Sequence, residues 1–228
     1  MTQEEVAQLA IRKYEGTIRL VASAQDLERA IHVIRGEQVV GLDTETKPTF
    51  HKGQFHLPCL VQIATASVVY LFQLKRMEFS ATLVEVLENP ALIKAGIGLA
   101  DDFSNLKKVF PFEPQNIIDL SLVAQRQGIK RSGVRNLAGQ LLGFRITKGS
   151  STSNWASPRL TSKQIAYAAT DAWVCRELFL RFQQLGFLDL KGRPLSKRTG
   201  ERKGTLDSGL LYRRIGVCNY KSDSKRRR

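Results

Sequence analysis

Residues 39–46 read VVGLDTET. An uninterrupted apolar run that ends in two acids describes a buried central strand, expected over Gln38–Asp43, with charge at its carboxyl end. Side chains alternate between the two faces of a strand, so Asp43 and Glu45 share one face and Thr44 takes the other. In α/β proteins, sites gather at the carboxyl ends of strands. Two carboxylates on one face repel each other unless a cation or a proton lies between them. The plainer account is a surface strand end with solvated acids. The VVGL run in front of them argues for burial and so for a metal site.

Outward from this strand, the pattern alternates. Upstream, Thr17–Ala22 (TIRLVA) reads as a short strand. Ser23 begins a capping pattern, and Leu27, Ala30, Ile31 and Ile34 give the following helix an apolar face as far as Gly36. Downstream, the stretch from Lys47 to Leu57 contains Pro48 and Gly53 and reads as a loop. Cys59–Thr65 and Val68–Phe72 read as paired strands. Helices are expected over Ser80–Glu88, Asp101–Phe110, Val134–Leu142 and Thr161–Leu185, with one more between Asp119 and about Gln127. Strands are expected over Leu92–Gly98 and Asn116–Asp119. Strands that first pair locally and then alternate with helices give an α/β fold, its mixed sheet antiparallel at the start and parallel afterwards.

Two further places present acids in apolar settings. Tyr167 and Asp171 are four apart on the last helix, within AYAATDAW, and so lie on one face. An Asp in such a stretch is rarely left unpaired; a cap, an arginine partner or a metal would each satisfy it. Asp101 and Asp102 follow the buried strand KAGIG, where acids at a helix N-terminus are favoured by the macrodipole. Spacing alone does not choose between them. Lys94 and Lys148 are candidate phosphate contacts, Phe103 and Trp155 candidate stacking surfaces. For these two aromatics, core packing is the ordinary alternative. Thr44 and Gln62 fall at the edge of the expected site without an assignable role, and His51 and His56 fall in a polar loop that solvates them.

Composition narrows the class. The 228 residues carry a net charge of +14, and 43% are hydrophobic, enough for a full core. The charge is uneven: residues 189–228 hold 13 Lys/Arg against 4 Asp/Glu, and end in KRRR. Such a tail is attracted to polyanions, nucleic acid first. It divides the chain into an expected domain over 1–188 and a basic tail over 189–228. No run of about 18 apolar residues occurs, so no membrane partner is expected. The N-terminus lacks the apolar segment of a signal peptide. Cys59, Cys175 and Cys218 form no C-x-x-C pair, which disfavours structural zinc or disulfides and fits a reducing, cytoplasmic setting.

Taken in order, DTET, KAGIGLADD, SNW and LTSKQIAYAATDA resemble the DEDD superfamily of 3′–5′ exonucleases. They look like its DEDDy branch, which includes ribonuclease D and the Werner-syndrome exonuclease domain. The similarity runs from about residue 17 to 187. It implies a ribonuclease H-like fold, a mixed sheet with antiparallel first strands flanked by helices. It also implies roles: Asp43 and Glu45 as the D-x-E pair, Asp102 rather than Asp101 as the second aspartate, and Tyr167 with Asp171 as the Y-x-x-x-D motif. The DEDDh branch has histidine in place of that tyrosine. Here His32, His51 and His56 all lie far from Asp171 in sequence. The resemblance implies two divalent ions, Mg²⁺ or Mn²⁺, about 3.5–4 Å apart. Asp43, Glu45 and Asp171 would hold one, Asp43 would bridge to the second, and Asp102 would support that second ion. The implied partner is the 3′ end of DNA or RNA, and the implied product a nucleoside 5′-monophosphate. The competing class is an exonuclease-fold module that grips nucleic acid without cutting it.

Overall fold

The computed structural model describes residues 1–49, 51, 53–74, 80–148 and 153–195. Residues 196–228, most of the basic tail, lie outside the described residues.

The VVGLDTET strand is β2 (Val39–Thr46). It sits inside a six-stranded sheet of order β1-β4-β3-β2-β5-β6, with β1 at Thr17–Val21, β3 at Pro58–Ala64 and β4 at Val68–Gln73. Beyond β2 lie β5 (Ile93–Gly96) and β6 (Ile117–Asp119). β2, β3 and β4 form an antiparallel meander. β5 and β6 continue from β2 in parallel. β1 joins the far edge parallel to β4, Thr17 opposite Val68. The expected mixed sheet is therefore present, its antiparallel part made by β2 to β4.

One face of the sheet is covered by α2 (Ala24–Arg35), α3 (Ser80–Glu88) and α4 (Leu99–Leu106). Val40, Leu42, Val61 and Ile63 from the sheet share a cluster there with Ile31, Leu83, Leu99 and Phe103. The other face is covered by α7 (Ser162–Gln184). Its small residues Ala168, Ala169 and Ala172 pack with Leu60, Ala64 and Leu71. Gly41 is essential to that second layer. A Cβ there would overlap the Ala172 carbonyl oxygen and lie 2.7 Å from the Arg176 amide nitrogen. Only glycine lets the helix backbone come down onto β2.

Helix boundaries follow their caps. Thr161 opens α7 through a capping box with Gln164: the Gln164 amide donates to Thr161 Oγ1 at 3.2 Å, and the Thr161 amide to Gln164 Oε1 at 2.9 Å. The helix expected over Asp101–Phe110 instead spans Leu99–Leu106. Its start is moved by Asp119, whose Oδ2 accepts the amides of Gly98 (3.1 Å) and Leu99 (3.2 Å). Oδ1 of the same residue caps α5 (Leu120–Arg126) through Ser121 and Leu122. The helix expected over Val134–Leu142 is α only over Val134–Leu137, here α6, and then widens into a π turn over Ala138–Leu142. In that turn Gly139 lies against Val6 of α1 (Gln3–Ala7), a short helix with no counterpart in the sequence reading. Past residue 188 the described chain stays on the body: the Leu195 amide donates to the Phe187 carbonyl at 2.9 Å. Among the described residues no helix is long and apolar enough to cross a membrane.

Candidate active site

The carboxyl end of β2 presents Asp43 and Glu45 to α7, two and four residues beyond the close approach at Gly41. Asp171, on the face of α7 that meets β2, completes a group of three. One carboxylate oxygen from each of Asp43, Glu45 and Asp171 lies within 4.8 Å of the others. The third acid is the most buried, at 5% exposure, and its Oδ1 has no hydrogen-bond partner.

Asp102 reaches the site from the other face. It stands in the first turn of α4 and accepts a 2.7 Å hydrogen bond from Thr44 Oγ1. Thr44 thus has a job that its outward pleat had hidden: it ties α4 to the strand carrying the acid pair. Asp101 is exposed, whereas Asp102 is half-buried.

The electrostatics describe acids held together without an ion-pair partner, Arg135 acting on Asp171 only through its charge. Burial and the charges of Asp171, Glu45 and Asp102 push the Asp43 carboxyl well above the usual range. Burial and the Asp171 and Asp102 charges raise Glu45 to about 8. Asp102 is raised to about 6, chiefly by burial, with the Thr44 hydrogen bond opposing. Asp171 is also raised to about 6 by burial, opposed by the Tyr167 hydroxyl and by the charge of Arg135. Tyr167, one helical turn before Asp171, is pushed up by burial and by the neighbouring acids, so its hydroxyl stays protonated. Among the described residues no Lys or Arg forms an ion pair with Asp43, Glu45, Asp102 or Asp171.

Those observations fit a hard divalent cation. The donors are all carboxylate oxygens, they converge, none of them is ion-paired among the described residues, and the Asp171 Oδ1 is an orphaned buried acceptor. Asp43, Glu45 and Asp171 are placed to share one ion. Asp102 lies outside that group of three.

Several other sequence-stated candidates stand elsewhere. Lys94 is not a phosphate contact: it is fully buried on β5, and its ammonium donates to the Asn89 carbonyl at 2.7 Å. Phe103 is not a stacking platform: it is 6% exposed and meets Phe112 edge-on in the core. Trp155 packs, as its ordinary alternative had it, at 1% exposure beside Tyr167 with ring centroids 6.1 Å apart. His51 and Lys148 are exposed. His56 is half-buried, with Nε2 enclosed and unpartnered, so the solvated reading fails for it. Sequence reasoning missed Asp119, whose double cap fixes the helix carrying Asp102. Its signal was present: an acid directly before a helix is an N-cap pattern.

Comparison with known proteins gives the family. The profile of the 3′–5′ exonuclease family matches residues 18–186. The human "Exonuclease mut-7 homolog" is 28% identical over 190 residues, covering 71% of this chain and 22% of its own length. "Ribonuclease D" of Gluconacetobacter diazotrophicus is 29% identical over 204 residues, 86% of this chain and 51% of its own. The chain thus spans less than a quarter of the first relative and about half of the second. Among solved structures, the Nibbler EXO domain of Aedes aegypti superposes with a TM-score of 0.67 at 23% identity, covering 77% of this chain and 91% of that one. With Tyr167 and Asp171 in the Y-x-x-x-D positions, the chain belongs to the 3′–5′ exonuclease family, in its DEDDy branch.

Proposed function

We propose that this chain is a divalent-metal-dependent 3′–5′ exonuclease that releases nucleoside 5′-monophosphates from the 3′ end of DNA or RNA. The observation that carries the reading is the convergence of Asp43, Glu45 and Asp171 within 4.8 Å. Asp43, Glu45 and Asp171 would hold one Mg²⁺ or Mn²⁺, and Asp43 with Asp102 a second. When bound, the ions supply Lewis-acid activation of water and neutralise charge that develops on the phosphodiester.

The protein groups do the positioning. The Tyr167 hydroxyl, protonated at neutral pH, is a hydrogen-bond donor that orients the attacking water together with the Glu45 carboxylate. Attack on phosphorus in line with the leaving group breaks the bond to O3′ of the penultimate nucleotide. The terminal nucleotide departs with its 5′-phosphate. Asp43 belongs to both ion sites, so its loss should be the most damaging.

The basic tail supports nucleic acid as partner. Residues 196–228 hold 11 Lys/Arg against 3 Asp/Glu. We place the exonuclease domain at 1–188 and assign 189–228 to substrate attraction. A truncation that tests this should begin at 196, because Gly192 still packs against Ile93, Ile118 and Phe179. Loss of the tail should weaken binding and flatten its salt dependence; unchanged affinity and slope would refute the assignment.

The decisive assay uses matched single- and double-stranded DNA and RNA with Mg²⁺ or Mn²⁺. Mononucleotide release that is blocked by a chelator and abolished in Asp43→Ala supports the reading. Retained binding without release would leave only a nucleic-acid-binding module.

A further inference from the structure

Among the described residues, the buried side-chain atoms without a hydrogen-bond partner are His56 Nε2, Asp171 Oδ1, and both Nε2 and Oε1 of Gln62. Gln62 is the extreme case, a whole amide at 0% exposure with neither end satisfied. A buried amide left without hydrogen bonds costs stability, so an apolar side chain would be favoured there on stability alone. Gln73, on the neighbouring strand, shows how a structural amide is treated: its Nε2 donates to the Ser157 carbonyl at 3.1 Å.

The register says what Gln62 faces. It lies directly opposite Asp43 on β2, and opposite Leu71 on β4. Cross-strand partners project from the same face with their Cβ atoms roughly 5 Å apart. The other neighbours on that face are Leu60, Ala64 and Gly41, apolar or without a side chain beneath the alanines of α7, and Glu45, a diagonal step away opposite Leu60. Asp43 is therefore the polar side chain across from the orphaned amide.

We propose that Gln62 is a positioning residue for Asp43. Its Nε2 hydrogens are donors for the Asp43 carboxylate when that carboxylate holds a divalent ion, fixing which oxygens point at the ion. This rests on the metal-dependent reading above. It assigns a purpose to a glutamine whose burial is otherwise a loss.

The test is Mn²⁺ titration of the full chain, without nucleic acid, by calorimetry or by electron paramagnetic resonance. Gln62→Met keeps the length of the side chain without the amide, and Gln62→Leu provides a second apolar shape should the first misfold. Removing a hydrogen-bonding partner of a metal ligand typically costs about 10–100-fold in metal affinity. That loss is expected here, with the thermal midpoint in chelator unchanged or raised. A purely structural glutamine would lower the metal-free midpoint and leave affinity alone. Mn²⁺ affinity within about twofold of wild type in a folded variant overturns the proposal, being far from the expected 10–100-fold. Wild-type protein that binds Mn²⁺ but releases no nucleotides would sink the exonuclease reading and leave this one standing on the affinities. Wild-type protein that binds no Mn²⁺ overturns both.

Discussion

Replacing Glu45 with glutamine should stabilise the metal-free protein at alkaline pH while removing a metal ligand. Glu45 is raised from 4.5 to about 8 by burial and by Asp171 and Asp102. Between those two values the folded state keeps a proton that the unfolded chain has released. Proton uptake then favours the folded state at low pH, and stability falls as pH rises through the folded value. Each pH unit in that window costs about 1.4 kcal/mol for one proton. From pH 6 to pH 8, Glu45 alone removes about 2.3 kcal/mol, the last part of the window counting less because the group is half titrated at pH 8. At roughly 2–4 °C per kcal/mol for a chain of this size, the thermal midpoint in chelator should drop by about 5–10 °C. Glu45→Gln should melt higher than wild type at pH 8 and show a shallower slope. Saturating Mn²⁺ should cancel most of the wild-type slope, since a cation stabilises the ionised acids. The assay is thermal unfolding followed by circular dichroism at pH 6, 7 and 8, in chelator and in Mn²⁺. A chelated wild-type midpoint that is flat or rises across this range refutes the electrostatic account. So does a Glu45→Gln slope equal to that of wild type.

Three other perturbations follow from particular contacts. Asp119→Ala removes the caps of α4 and α5 together, and at about 1 kcal/mol per cap should lower stability by about 2 kcal/mol in urea unfolding, with activity reduced through Asp102. Lys94→Met should stabilise the protein near pH 7. Burial lowers its ammonium from 10.5 to about 8, a penalty of about 3 kcal/mol that is fully present below pH 8 and fades as pH rises toward the unfolded value. The freed Asn89 carbonyl takes back about 1–2 kcal/mol of that gain, and a melting point equal to or below wild type would contradict the account. Gly41→Ala forces β2 and α7 apart and should cost upwards of about 3 kcal/mol, the top of the usual range for overpacking, with Mn²⁺ affinity lost alongside; a soluble variant with normal melting would contradict the close approach.

Much of the fold was legible because its signals are local. The apolar run before Asp43, the capping box at Thr161 and Gln164, and the Ala-rich face of α7 each determine their own neighbourhood. The end of α7 at Gln184 and its start at Ser162 lie within one residue of the sequence reading. What escaped was long-range. β1 pairs with β4 rather than with a sequence neighbour, and nothing in TIRLVA states that register. Lys94 read as a surface cation because lysine is rarely fully buried. Its four-carbon stem lets a core strand position hide the stem while the ammonium finds a backbone carbonyl five residues upstream. Gln62 and Gly41 likewise carry meaning only once β3 and α7 are laid against β2.

The choice between Asp101 and Asp102 shows where local reading had more to give. Spacing from the strand left it open, and resemblance decided it. Helical phase decides it too, once the helix is begun in the right place. With the start assumed at Asp101, both acids fall in the first turn and neither is distinguished. With the start at Leu99, the buried positions are Leu99, Phe103 and Leu106. Asp102 lies three residues after the first of these and four before the last, along the flank of that stripe. Asp101 lies off it and faces solvent. The shift of two residues comes from the Asp119 carboxylate, which satisfies the amides of Gly98 and Leu99 in place of a side-chain cap that Gly98 does not have. A carboxylate at the end of β6 thus anchors the start of the helix whose flank brings Asp102 to Thr44.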